Sequence, residues 1–157
     1  MIFDKKHLFY QRLAIAQAKD ALSEGVDIPV GAVLIDEDGK VVSAHNNEVY
    51  KRFDPTAHAE ILCIRDACAM KRSVHLDRCI LFVTLEPCVM CARAIAAAHL
   101  YAVFFSCADS KYGGVLYDRY PETNHRPKIF PYILEEEYQY LLREFFERRR
   151  LAENIKN

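Results

Sequence analysis

Cys79-Ile80-Leu81-Phe82-Val83-Thr84-Leu85-Glu86-Pro87-Cys88-Val89-Met90-Cys91 is the stretch whose reading decides the fold. Residues 79–84 form an apolar run short enough to be a buried strand. Pro87 reads as a proline in the first turn of a helix from about Cys88 to Ala98, and Tyr101 to Ser106 returns as a second apolar strand. Strand, helix and strand in so few residues make a βαβ unit, whose right-handed crossover makes the two strands parallel. Such units gather their chemistry at the carboxyl ends of their strands, where Glu86-Pro87-Cys88 stands.

Outward from this unit, the flanking pattern alternates helix and strand. Asp4 to Glu24 reads as a helix, because Leu8, Ile15, Ala18 and Leu22 recur near a 3.6-residue period, with Asp4 to cap it and Gly25 to end it. Ala32 to Ile35 and Val41 to Ala44 read as a hairpin across the Asp38-Gly39 turn. A polar loop from Asn46 to Thr56 then leads into a helix from about Ala57 to Met70. From Cys107 to Arg126 the pattern decays into a loop with one short helical turn, carrying Gly113, Gly114, Tyr117, Tyr120 and Pro121. Lys128 to Ile133 reads as a last strand, and its internal Pro131 implies a sheet edge. Glu135 to about Asn154 is a helix with Tyr138, Leu141, Leu142 and Phe145 on its apolar side; its acidic start and basic end complement the macrodipole. The expected architecture is α/β: a five-stranded mixed sheet with helices on both faces, in one domain spanning residues 1–157.

Two segments carry chemistry. His58, Cys88 and Cys91 offer one nitrogen and two sulfurs, and Glu60 stands two residues beyond the histidine. A structural zinc takes four protein ligands, whereas a catalytic one takes three and leaves a fourth position for water. Three donors are present, so Glu60 is free to move protons. Both ligand segments sit at helix N-termini, where backbone N–H groups and the helix dipole favour the thiolate that binds zinc. The competing readings are a redox Cys-x-x-Cys pair, half of a four-cysteine structural site, and a solvated Glu60. A second Cys-x-x-Cys is missing, and Cys63, Cys68, Cys79 and Cys107 lie in apolar stretches that suit buried thiols. The other histidines, His7, His45, His75, His99 and His125, lie outside the metal segments and are expected in surface or core roles.

Composition narrows the function classes. A hydrophobic fraction of 52% and a charged fraction of 27% are those of a globular protein, and a net charge of −1 leaves no global basic field for nucleic acid. Contacts to RNA therefore need a local patch, such as Arg143 and Arg148 to Arg150, for which the plain alternative is a solvated helix end. No stretch has the length of a membrane span or a signal peptide, and six irregularly spaced cysteines suit a reducing cytoplasm.

His-x-Glu followed by Pro-Cys-x-x-Cys is the signature of the zinc-dependent nucleobase deaminases. Together with Pro29-Val30-Gly31-Ala32-Val33, Asn47, the 54–60 and 84–91 segments, Asp109, Lys111, Gly113, Asn124-His125-Arg126 and Phe145-Phe146, it makes the chain closely resemble the bacterial tRNA-specific adenosine deaminases. The resemblance implies a three-layer α-β-α fold of the cytidine deaminase type. It also implies hydrolytic deamination of adenosine to inosine at wobble position 34, by a cytoplasmic homodimer with one zinc per subunit. By the same resemblance Glu60 is the catalytic proton shuttle and His58, Cys88 and Cys91 are the zinc ligands. Asn47, Pro29, Val30, Ala57 and Asp109 would bind the substrate, and Lys111, Asn124, Arg126, Phe146 and Arg150 would contact the anticodon stem-loop. For Asn47 and Asp109 the plain alternative is loop capping. The chain departs from the usual family pattern at residues 96–99, 106–109 and 112–115, which bear on RNA contacts and not on zinc.

Two other functions share these residues. A deaminase of a free base or nucleoside, of the guanine or cytosine type, would keep every metal residue. A non-enzymatic module with a structural zinc would have no use for Glu60.

Overall fold

The structure is a computed structural model that describes residues 3–116 and 123–156. Asp4 opens helix α1 (Lys5–Glu24) by accepting the His7 N–H at 2.8 Å, and Gly25 closes it in the left-handed region at φ 69°. Strands β1 (Gly31–Ile35) and β2 (Val41–Asn46) pair antiparallel across the Asp38-Gly39 turn, with Val33 opposite Ala44. Then come α2 (Val49–Arg52), α3 (Ala59–Lys71), β3 (Ile80–Leu85), α4 (Val89–Ala97), β4 (Ala102–Cys107), β5 (Lys128–Phe130) and α5 (Glu135–Lys156). The sheet order is β2-β1-β3-β4-β5; β1 is antiparallel to both its neighbours, and β3, β4 and β5 run parallel.

Alternation along the strands makes the three layers. Leu34, Leu81, Val83, Val103 and Phe105 share a core with Cys63, Ile64 and Ala67 of α3 and Ala92 and Ile95 of α4. On the opposite face Val33, Ile35, Phe82 and Phe104 pack with Ala14 of α1 and with Ile133. Register places Phe82, Phe104 and Phe130 side by side on three adjacent strands, with ring centroids 4.8 and 4.4 Å apart. Helix α5 runs alongside α1 in the same direction, since Glu137 pairs with Arg12 at 3.1 Å while Phe145 joins the cluster of Leu22. Its distal half therefore lies at the end of the sheet where β1 begins and β3 ends.

The structure departs from the sequence expectation in four places. The loop expected at residues 46–56 contains the four-residue helix α2, whose cap comes from far away in the chain: the Asp27 carboxylate accepts the Tyr50 and Lys51 N–H groups at 3.0 and 3.3 Å. No local pattern encodes a cap supplied 23 residues upstream. The first ligand helix begins at Ala59 with His58 as its N-cap, not inside it. Likewise Cys88 is the N-cap of α4, so Pro87 precedes the cap and does not occupy the first helical position. Finally, β5 stops at Phe130 because Pro131 has no N–H to donate; the sheet-edge position holds. The part of the 107–126 loop that carries Tyr117, Tyr120 and Pro121 lies outside the described residues.

Candidate functional site

Two helix N-termini meet at the carboxyl end of β3. N-cap residues with short polar side chains usually bond back to their own helix, yet neither His58 nor Cys88 does so. Both have extended backbones, at ψ 149° and 172°, that send the side chain away from the helix axis and toward the other cap. His58 Nδ1 lies 3.7 Å from Cys88 Sγ and 3.5 Å from Cys91 Sγ, and the three donor atoms all lie within 4.8 Å of one another. Zinc–nitrogen and zinc–sulfur bonds of about 2.0 and 2.3 Å at a tetrahedral angle would separate nitrogen from sulfur by about 3.5 Å. The donor set therefore fits a zinc ion in both chemistry and spacing. Among the described residues it is the one such cluster.

The capping that His58 gives up is supplied by Asn47, whose Oδ1 accepts the Ala59 N–H at 2.9 Å. With that oxygen committed, what Asn47 offers the cavity is its Nδ2 donor.

Glu60 lies beside the cluster, 3% exposed, and its Oε2 has no hydrogen-bond partner. Burial pushes this carboxyl up to about 7. The sulfurs split in opposite directions. The Cys91 thiol and the His58 ring draw Cys88 down to about 4, while the neighbouring Cys88 and burial push Cys91 upward. His58 is raised by its contact with Cys88. A buried acid with an idle oxygen is a destabilising feature that folding alone does not call for. It makes chemical sense beside an ion that brings a water.

A cavity of about 370 Å³ opens over this cluster, lined by His58, Glu60 and Cys88 at its floor and by Val30, Asn47 and Asp109 on its sides. Tyr50 and Tyr112 stand at its rim, both well exposed.

Three comparisons bear on the chain. The model for the cytidine and deoxycytidylate deaminase zinc-binding region matches residues 4–107. A tRNA-specific adenosine deaminase of Aquifex aeolicus is 42% identical over 152 residues, covering 94% of this chain and 97% of that protein. The chain belongs to the tRNA-specific adenosine deaminase family. Among solved structures, one from a study of A-to-I editing by tRNA:A34 deaminases superposes with a TM-score of 0.81 at 36% identity, covering 85% of this chain and 99% of that one. A guanine deaminase from Bacillus subtilis superposes with a TM-score of 0.62 at 36% identity, over 68% of this chain and 66% of that one.

In this member of the tRNA-specific adenosine deaminase family the residues singled out from sequence are distributed unevenly. His58, Glu60, Cys88, Val30, Asn47 and Asp109 surround one cavity, with Cys91 completing the donor cluster beneath it. Pro29 and Ala57 do not line the cavity: Ala57 is fully buried, and Pro29 O accepts the Tyr138 hydroxyl at 3.1 Å. Asp109 also acts as the loop cap that the plainer alternative foresees, its Oδ1 accepting the Lys111 and Tyr112 N–H groups at 2.9 and 3.0 Å. Lys111 sits on the same loop near the mouth, its ammonium 5.0 Å from the Tyr112 ring centre. Phe146 and Arg150 line a shallow groove on α5 with Arg143 and Arg149. Asn124 and Arg126 are not brought to the cavity. They precede β5, whose Lys128 pairs with Ala102, about 17 Å along β4 from its cavity end at Cys107.

Among the functional-site residues to which a sequence reading assigns no role are Asp27, Glu86 and Tyr138. Each acts through tertiary contacts made far along the chain, for which sequence spacing holds no signal. Tyr138→Phe is expected to cost about 1–3 kcal/mol, because it leaves the buried Pro29 carbonyl without a donor. Urea denaturation checks this, and an unchanged midpoint would show that the hydroxyl does not anchor the cavity wall.

Proposed function

We propose that residues 1–157 form one deaminase domain that hydrolyses adenosine to inosine at wobble position 34 of tRNA. One zinc per subunit would be held by His58, Cys88 and Cys91. The observation that carries this reading is a buried carboxylate with an unpartnered oxygen, set beside a three-donor cluster on the floor of a base-sized cavity. Likeness over nearly the full length to tRNA-specific adenosine deaminases supports the substrate.

Zinc, when bound, supplies the Lewis acid that makes water a competent nucleophile at neutral pH. The chain's own residues do the rest. Glu60 accepts a proton from the attacking water and delivers it to ring N1 as a C–O bond forms at C6. It then helps protonate the amino group, which leaves as ammonia when the C6–N bond breaks. A carboxyl held near 7 by burial suits a group that must both take and give a proton. Asn47 offers its Nδ2 donor to an acceptor on the base edge, Val30 packs against the base, and Asp109 faces the RNA backbone beside it. Pro29 and Ala57 support this pocket from behind. Tyr50 and Tyr112 give ring faces on which neighbouring bases can stack, and an anticodon base must leave its stack to reach Glu60.

Lys111, Phe146 and Arg150 would meet the anticodon stem-loop, a reading supported by their lining surface grooves on the 109–116 loop and on α5, whereas Asn124 and Arg126 would reach only RNA beyond the flipped nucleotide. The expected homodimer and cytoplasmic location belong to the same proposal. Val89 and Met90 at the start of α4 are exposed apolar side chains that a second copy could cover. No helix among the described residues is long and apolar enough to cross a membrane.

Purified zinc-loaded protein given an anticodon stem-loop, and separately free adenosine, guanine and cytosine, distinguishes the competing substrates. Inosine appearing in the RNA with the monomers untouched is the expected outcome. Ammonia released from guanine or cytosine alone would overturn the RNA reading in favour of a free-base deaminase, and no reaction on any substrate would leave only a structural zinc module.

A further inference from the structure

We infer that Glu86 is a positioning residue that fixes the outer wall of the cavity to the metal-ligand helix and so governs substrate binding. The inference about substrate rests on the function proposed above; the structural half does not.

Glu86 is 3% exposed and lies between the end of β3 and the ligand Cys88. Its two oxygens are turned on the loop that follows β4. Oε2 accepts the Asp109 N–H at 3.0 Å, and Oε1 accepts the Val115 and Leu116 N–H groups at 3.2 and 2.8 Å. Between these anchors the loop is closed by bonds of its own. Asp109 Oδ1 takes the N–H groups of Lys111 and Tyr112, Asp109 O takes that of Gly113 at 2.9 Å, and Pro87 O takes that of Gly114 at 2.8 Å. A loop with no strand partner thus has its backbone donors answered chiefly by Glu86, Pro87 and Asp109.

Sterics say the same. A Cβ at Gly113 would lie 2.3 Å from Glu86 Oε2, and one at Gly114 would lie 2.7 Å from the backbone of Val89. The loop is pressed directly onto the start of α4, with Gly113 bridged to Cys88. Since this loop carries Asp109 and Tyr112, which face His58 and Glu60 across the cavity, the Glu86 contacts set the distance between the reacting floor and the substrate-side wall. The metal ligands are held by the starts of α3 and α4, and the loop meets them at the backbone of Cys88, which is bridged to Gly113. Loosening it should therefore weaken substrate binding more than the hydrolytic step.

Glu86→Gln turns one acceptor into an NH₂ group that confronts a backbone N–H. Gly113→Ala pushes on the same contact from the other side. Zinc content, amide hydrogen exchange of the free protein, and kinetics on an anticodon stem-loop are measured for both. Each variant is expected to hold one equivalent of zinc, to exchange either the amide of residue 109 or those of residues 115 and 116 at least about tenfold faster, the scale of one charged hydrogen bond lost, and to raise KM about tenfold with a smaller change in kcat. Unchanged exchange at those amides in either variant overturns the anchoring. A fall in kcat at constant KM, or loss of zinc, overturns the assignment to substrate positioning. If the wild-type protein leaves the stem-loop untouched, the proposed function fails while the exchange measurement still decides the role of Glu86. Should Glu86→Gln not fold, Gly113→Ala alone decides.

Discussion

Glu60→Gln is expected to lose between about 10² and 10⁴ of its deaminase turnover while keeping its zinc and its fold. The carboxylate sits 3% exposed with Oε2 unpartnered, so the amide fits the same space and breaks no bond to that oxygen. An amide cannot take a proton from water at neutral pH, which removes the transfer to the ring and to the leaving amine together. Stability should move the other way. A buried acid without a full set of partners destabilises the folded state, so the neutral isostere is expected to melt at the same temperature or higher. Turnover on an anticodon stem-loop, metal analysis and a thermal melt test the three parts. Activity within tenfold of wild type would remove Glu60 from the chemistry, and loss of zinc would make it a ligand instead of a shuttle.

Gly31→Ala should destabilise the protein by at least about 3 kcal/mol, at the upper end for overpacking. A Cβ at this position would lie 2.0 Å from the Ala14 carbonyl oxygen, 2.5 Å from the Ala18 nitrogen and 2.8 Å from Gln17 Cβ. Two of these are backbone atoms of α1, and a helix backbone cannot swing aside as a side chain can. Relief requires α1 to lift from β1, which loosens Ala14 and Ala18, both fully buried. It also strains the Gly31 N–H bond to Thr84 Oγ1, which ties β1 to the end of β3 next to the cavity. For a domain of this size the loss corresponds to a melting temperature lower by about 10 °C. A melt within about 2 °C of wild type would show that α1 does not touch the sheet this closely.

These two glycine and carboxylate positions show how far local pattern reaches. Periodicity located α1 and α5 because burying one face imposes a repeat on the residues themselves, whereas α3 and α4 were located by helix-start signals and the strands by short apolar runs between turn residues. The 79–106 stretch fixed the parallel β3-α4-β4 unit, and the spacing of His58, Glu60, Cys88 and Cys91 marked a metal-type cluster, because three donors and a spare acid have few other uses. Helix starts were less legible. His58 and Cys88 lack the side chains that cap a helix, so the sequence pattern ran each helix one or two residues too early.

Asn47 supplied the missing cap of α3, Asp27 that of α2, and Glu86 the donors' partners in the 109–116 loop. A capping role was legible for Asn47 but its partner was not, and Asp27 and Glu86 show no signature, because each bond joins residues 12 to 30 positions apart and depends on where the sheet brings them. What the sequence alone determined is the layered α/β fold and the identity of the donor cluster, since hydrophobic period and ligand chemistry are written residue by residue. Only the tertiary structure decided which side chains face the cavity and that Asn124 and Arg126 precede β5 at the other end of β4 from it, because strand order and direction, not spacing along the chain, place distant loops at one end of a sheet or the other.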